Sequence, residues 1–185
     1  MLMTNTIFDF IGGTTGEWKV LQMTTLKGDS LPKVTHVDKI SSSLLNRFEG
    51  IWSLKGIVSN LRYTEKADKD QLVAVQEDLG RSQATCAALI PIRKNDAWWN
   101  LAQDERRKIM ENQSRHTHIG MQYLPAIARK LFHSRDIGEP FDFLTWFEFA
   151  PEDEPAFNEL LKKLRQSEEW QYIDREIDIR LRKVE

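Results

Sequence analysis

Arg115-His116-Thr117-His118-Ile119-Gly120-Met121-Gln122-Tyr123-Leu124-Pro125-Ala126-Ile127-Ala128-Arg129-Lys130-Leu131-Phe132-His133-Ser134 is the stretch on which the reading of this chain turns. It holds three of the four histidines and mixes them with apolar residues. Leu124, Ile127, Ala128 and Leu131 recur at spacings of three and four, which predicts a helix with one buried side. His116 and Arg129 stand near its two ends, separated by a rise of roughly 20 Å and a rotation of about 220° on an unbroken helix. They therefore cannot touch, but they can reach different faces of one large flat ligand, and Pro125 permits a bend between them. His116 and His118 are two apart and point in different directions, so they do not form a chelating pair. On spacing alone, a lone histidine at the edge of an apolar face is more often a hydrogen-bonded structural residue than a metal ligand.

Outward from this stretch, alternation and breakers predict the remaining elements. Residues 18–26 read as a strand with Trp18 and Val20 on one face, closed by the turn Gly28-Asp29-Ser30. Further strands are predicted at 34–40, 52–63, 84–92 and 141–149, and a helical turn at 44–48. Residues 65–80 read as a helix with Leu72, Val75 and Leu79 inward, stopped by Gly80. A charged helix at 104–114 has Asp104 and Glu105 in its first turn, and a helix at 152–165 has Phe157, Leu160, Leu161 and Leu164 at core spacing. At the end, Ile177, Ile179 and Leu181 alternate with Asp178, Arg180 and Arg182, which predicts a strand with one wet face. Residues 1–16 close on Ile11-Gly12-Gly13-Thr14-Thr15-Gly16, which lacks the Gly-Lys-Ser/Thr ending of a phosphate loop and reads as a flexible lead-in.

The 185 residues suffice for one sizeable core. With 41% hydrophobic and 29% charged residues the chain is globular, and a net charge of −2 gives no sign of a nucleic-acid or membrane-surface partner. No apolar run has the length of a signal peptide or a spanning helix, so a cytoplasmic protein is expected. The single cysteine, Cys86, lies in an apolar segment and reads as a buried thiol.

Several motifs agree, in order, with one family. His116-Thr117 through Tyr123-Leu124, then Arg129-Lys130-Leu131-Phe132-His133-Ser134 and Phe141-Asp142-Phe143-Leu144-Thr145-Trp146-Phe147-Glu148, resemble the core signature of the chlorite dismutases. Pro91-Ile92-Arg93-Lys94-Asn95 and Trp98-Trp99-Asn100 resemble it too. The likeness runs over roughly residues 50 to 184. Combined with the element order from Trp52, it implies a ferredoxin-like α+β fold of the dimeric α+β barrel type, with an antiparallel sheet and helices on its outer face. It implies one domain, with residues 1–50 a shortened N-terminal half and 51–185 the haem-binding half, as in the small, homodimeric branch.

The resemblance further implies haem b as cofactor, with His116 as the proximal iron ligand and Glu169 as the carboxylate that accepts its other N–H. Arg129 corresponds to the distal arginine and Gln76 to an amide that restrains it. Asn60, Tyr63, Arg93 and Lys94 are the expected partners of the haem propionates, while Trp98 and Trp99 could wall the pocket or an interface. The implied activity is the conversion of chlorite to chloride and molecular oxygen. Two alternatives stand beside it: a coproheme decarboxylase of the same fold, which characteristically carries glutamine where this chain has Arg129, and a haem-binding protein without turnover.

Overall fold

The computed structural model describes residues 7–42, 50–58 and 78–185. Among the described residues eight strands are formed: β1 (Ile7–Gly13), β2 (Trp18–Lys27), β3 (His36–Ser41), β4 (Trp52–Val58), β5 (Cys86–Lys94), β6 (Ala128–His133), β7 (Phe143–Phe149) and β8 (Ile173–Lys183). They close into a barrel in the order β1-β3-β2-β8-β5-β7-β6-β4, with β4 returning to β1, and all these pairings are antiparallel. Short helices lie outside it: α1 (Asp96–Asn100), α2 (Gln103–Arg107), a π-helical turn (Lys108–Gln113), α3 (His116–Met121), α4 (Glu154–Arg165) and a 3-10 turn (Glu168–Tyr172). Among the described residues no helix is long and apolar enough to cross a membrane.

Closure overturns the ferredoxin-like expectation. An open sheet needs helices over its face to bury that face, whereas this sheet curls on itself and fills its own interior. Two segments bring this about. The first is the supposed lead-in, which is strand β1 and pairs with both β3 and β4. Gly12 there has a direct steric role, because a Cβ at that position would collide with the Trp52 indole lying across it. The second is the C-terminal part of the focal stretch. Residues 128–133 are not helical but form β6, held between β4 and β7. The focal helix is confined to α3.

The lumen is packed by Phe10, Trp18, Leu89, Phe132, Trp146 and Ile179, so the barrel is a core and not a pore. A second apolar layer lies outside. Ala88, Ile90, Phe147 and Phe149 face away from the lumen and meet Phe157, Leu160 and Leu161 of α4. This explains why β5 reads as a continuous apolar run: both of its faces are covered. Cys86 belongs to the outer layer, and burial pushes its thiol pKa up.

The expected wet face of β8 is also corrected. Glu176 and Asp178 are buried, and Arg165 of α4 reaches them at 2.7 Å and 3.0 Å, while Arg180 adds a 2.6 Å contact to Asp178. Trp170 donates its indole N–H to Glu176 at 2.8 Å. The alternation is present, but the charged face is covered by α4, which supplies Arg165, while the strand itself supplies Arg180.

Candidate functional site

The outer layer opens into a cavity of about 320 Å³, bounded by the outward faces of β5, β6 and β7 and by α3, α4 and the 3-10 turn. Period-two alternation aims Ile90 and Ile92, Phe143, Thr145 and Phe147, and Arg129, Leu131 and His133 at it. In register, Arg129 is paired with Phe147 and Leu131 with Thr145. The wall surface is mainly apolar, and polar and charged side chains stand among the apolar ones.

His116 is the first residue of α3. Its Nδ1 lies 2.8 Å from Glu169 Oε2. Glu169 is 2% exposed, and its other oxygen accepts from Lys94 Nζ at 2.7 Å. Burial alone would raise the Glu169 carboxyl, but the charges and hydrogen bonds of Lys94 and His116 outweigh it and hold it well below the usual carboxylate range. Lys94 is lowered by its own burial, against the raising pull of Glu169. Its ammonium lies 3.3 Å from the centre of the Trp98 ring, a cation–π contact that helps replace lost water. An ionised carboxylate can only accept, so His116 Nδ1 carries the proton and donates it. With Nδ1 so engaged, Nε2 is the ring nitrogen left to ligate a metal.

Arg129 enters from β6. A side chain on Gly120 would collide with its guanidinium, which lies against α3 one turn beyond His116. Burial lowers the Arg129 pKa, opposed by the charge of Glu111, yet a guanidinium stays protonated at any relevant pH. Trp99 forms another wall. Its indole N–H donates to Asp142 at 3.2 Å, and Arg135 stacks on its ring at 4.0 Å.

The structure thus brings His116, Glu169, Arg129 and Lys94 to one cavity. Lys94 is at a different place from the one expected: its ammonium holds Glu169. Arg93 points to the opposite face of β5 and pairs with Asp174 at 2.9 Å, away from the cavity. Asn60, Tyr63 and Gln76 lie outside the described residues. Sequence reasoning missed Glu111, Ser114, Asp142 and Arg135, and gave no role to His133, which lines the cavity with its ring against Phe143. Among the described residues no three His, Cys, Asp or Glu side chains converge as they would to hold an ion unaided.

Fold and site together define an antiparallel β-barrel protein with a lateral, largely apolar pocket and an imidazole oriented by a buried carboxylate. The sequence model of the family described as chlorite dismutase matches residues 30–183, and the chain belongs to that family. It is 36% identical over 127 residues to the chlorite dismutase of Ideonella dechloratans, a match that covers 65% of this chain and 41% of that relative. The chain thus spans less than half the length of that curated relative. The crystal structure of a dimeric chlorite dismutase from Nitrobacter winogradskyi is 49% identical, with a TM-score of 0.89, covering 96% of this chain and 99% of that one. A variant chlorite dismutase from Candidatus Nitrospira defluvii in complex with cyanide, 19% identical with a TM-score of 0.68, covers 96% of this chain and 91% of that one and shares the fold.

Proposed function

We propose that this chain holds haem b and converts chlorite to chloride and molecular oxygen, with His116 as proximal ligand and Arg129 as the residue that holds the anion. Family membership supports the reaction. One observation carries the site: the 2.8 Å contact between His116 Nδ1 and Glu169, which leaves Nε2 as the open nitrogen of a cavity-lining imidazole. The residues fit the cofactor. Ile90, Phe147, Leu164 and Trp170 offer apolar walls to a flat macrocycle, and Lys130 and Arg135 offer cations for its carboxylates.

When bound, haem supplies a redox-active iron at which bonds to oxygen are broken and made. The protein's part is to orient and retain. Glu169 holds the His116 ring in one tautomer and increases its electron donation, while Lys94 keeps the carboxylate ionised and limits how far it withdraws the proton. Arg129 presents a fork of donors to a small oxyanion and keeps an anionic fragment from leaving. Chlorite contains both oxygen atoms of the product, so chloride carries away the charge and the stoichiometry needs no outside oxidant.

Glu169→Gln is expected to raise the reduction potential of the bound haem, because a neutral acceptor leaves less negative charge on the imidazole. It also strips the buried Lys94 of its counter-charge, at a cost of about 3–5 kcal/mol. The wild-type carboxyl titrates below its unfolded value of about 4.3, so the stability it contributes is present at neutral pH and is lost as pH falls through that range toward the folded value. Melting curves between neutral and acid pH should show a flatter acid limb for the variant. An unchanged potential, even with a flattened limb, would make Glu169 an ordinary structural charge.

A homodimer is part of the same proposal, supported by the dimeric relative. Light scattering should give two chain masses, and a mass near five would contradict it. The activity is tested with an oxygen electrode. Protein loaded with haem b and given chlorite should evolve oxygen, while protein given coproheme and peroxide should not yield haem; a silent trace would favour a carrier, and efficient decarboxylation the other enzyme.

A further inference from the structure

The His116–Glu169 pair joins residues far apart in the chain, and each partner is tied separately to the same short segment. Residues Lys108–Gln113 form a π-helical turn, closed by a hydrogen bond from Ser114 N to Ile109 O at 2.8 Å. Such a turn inserts an extra residue into a helix and re-aims the side chains beyond it. Here Arg115 adopts a left-handed conformation, φ 52° and ψ 38°, and α3 starts at His116. For a residue other than glycine this conformation is unfavourable and persists only where neighbours impose it.

The ties are specific. Glu111 Oε1 accepts the Thr117 hydroxyl at 2.7 Å, and Oε2 accepts the Thr117 N–H at 3.4 Å, which fixes the first turn of α3. On the other side, Ser114 Oγ accepts the backbone N–H of Glu169 at 2.9 Å. Ser114 is only 4% exposed, so no bulk water can take its place. The Gln113 amide, oriented to donate, adds contacts of 3.3 Å to the carboxylate of Glu168.

We propose that the π-helical turn is the jig of the site and that Ser114 is its principal positioning residue. Its hydroxyl fixes the backbone from which Glu169 reaches His116, while Glu111 fixes the backbone from which His116 reaches back. A glutamate has three side-chain torsions, so only a fixed main chain keeps its carboxylate on one imidazole N–H. This deepens the proposed function of the same pocket, but it concerns a hydrogen bond that exists without cofactor.

The test is therefore made on the full chain without haem, with its histidines labelled with ¹⁵N. The Nδ1–H proton of His116 should be observable and slow to exchange in the wild type. In Ser114→Ala it should exchange about tenfold faster, the change that loss of one net hydrogen bond produces. Amide exchange in β5, β7 and β8 should stay the same, and Ser114→Thr, which keeps the oxygen, should restore protection. If Ser114→Ala does not fold, Glu111→Gln reads the other tie and should also speed the exchange. Unchanged protection of His116 in a folded Ser114→Ala, or in Glu111→Gln where the first does not fold, would overturn the proposal. Failure of this test leaves haem binding by His116 untouched, and failure of haem binding leaves this test readable.

Discussion

His116→Ala is expected to abolish stable haem binding, with a loss of affinity larger than the roughly 100-fold that removing an outer hydrogen-bond partner can cost. The reason is in the hydrogen bonding. The buried, ionised Glu169 accepts the Nδ1–H hydrogen bond, so His116 Nε2 is the ring nitrogen left to ligate in the cavity. Lys94 and Glu169 remain paired at 2.7 Å without the imidazole, so the variant should fold. His133 also lines the cavity, which makes His133→Ala the informative control. It should keep a wild-type Soret band. Titration of both variants with ferric haem decides the matter: a wild-type spectrum and affinity in His116→Ala would mean that another group holds the iron.

Arg129→Ala should keep haem and lose retention. A preorganised charged donor at a reacting anion is worth about 10²–10³ in turnover where such donors have been removed. A loss of that order in the rate of oxygen evolution is expected, with a lower oxygen yield, more product intercepted by a chlorine trap and faster bleaching of the haem. The guanidinium rests against Gly120, where any larger residue would displace it, so its position is set by α3 as well as by β6. Equal oxygen yield, trap capture and lifetime in the variant would remove Arg129 from the mechanism.

Much of this site was reached through the family resemblance that a few short runs carry, not through the spacing of its residues. The order of His116, Arg129 and Glu169 along the chain could be read, and the cavity brings all three together. The path between them could not. Leu124, Ile127, Ala128 and Leu131 carry helical spacing, yet 128–133 also alternate, with Ala128 and Phe132 buried against the lumen side and Arg129, Leu131 and His133 turned to the cavity. A short apolar run supports both periods, and pairing with β4 and β7 decides between them.

Arg93 and Lys94 show the same limit at one peptide bond. As neighbours in sequence they looked like one cationic patch, but a strand sends adjacent side chains to opposite faces. A register shift between them in the β5–β8 pairing accompanies the split. Arg93 meets Asp174 outside, while Lys94 is buried on Glu169. Barrel closure depends on β1, whose alternating Phe8 and Phe10 were overshadowed by the glycines after them. The charged face of β8 looked wet because the Arg165 that covers Glu176 and Asp178 comes from α4, and only the folded chain brings it there.

Oxygen-18 settles most directly whether this pocket makes oxygen from a retained anion. Doubly labelled chlorite, given to the haem-loaded protein in unlabelled water, should yield one doubly labelled oxygen molecule per chlorite consumed, because both atoms stay in the pocket until they are joined. Oxygen carrying a single label, or none at all, would contradict the account.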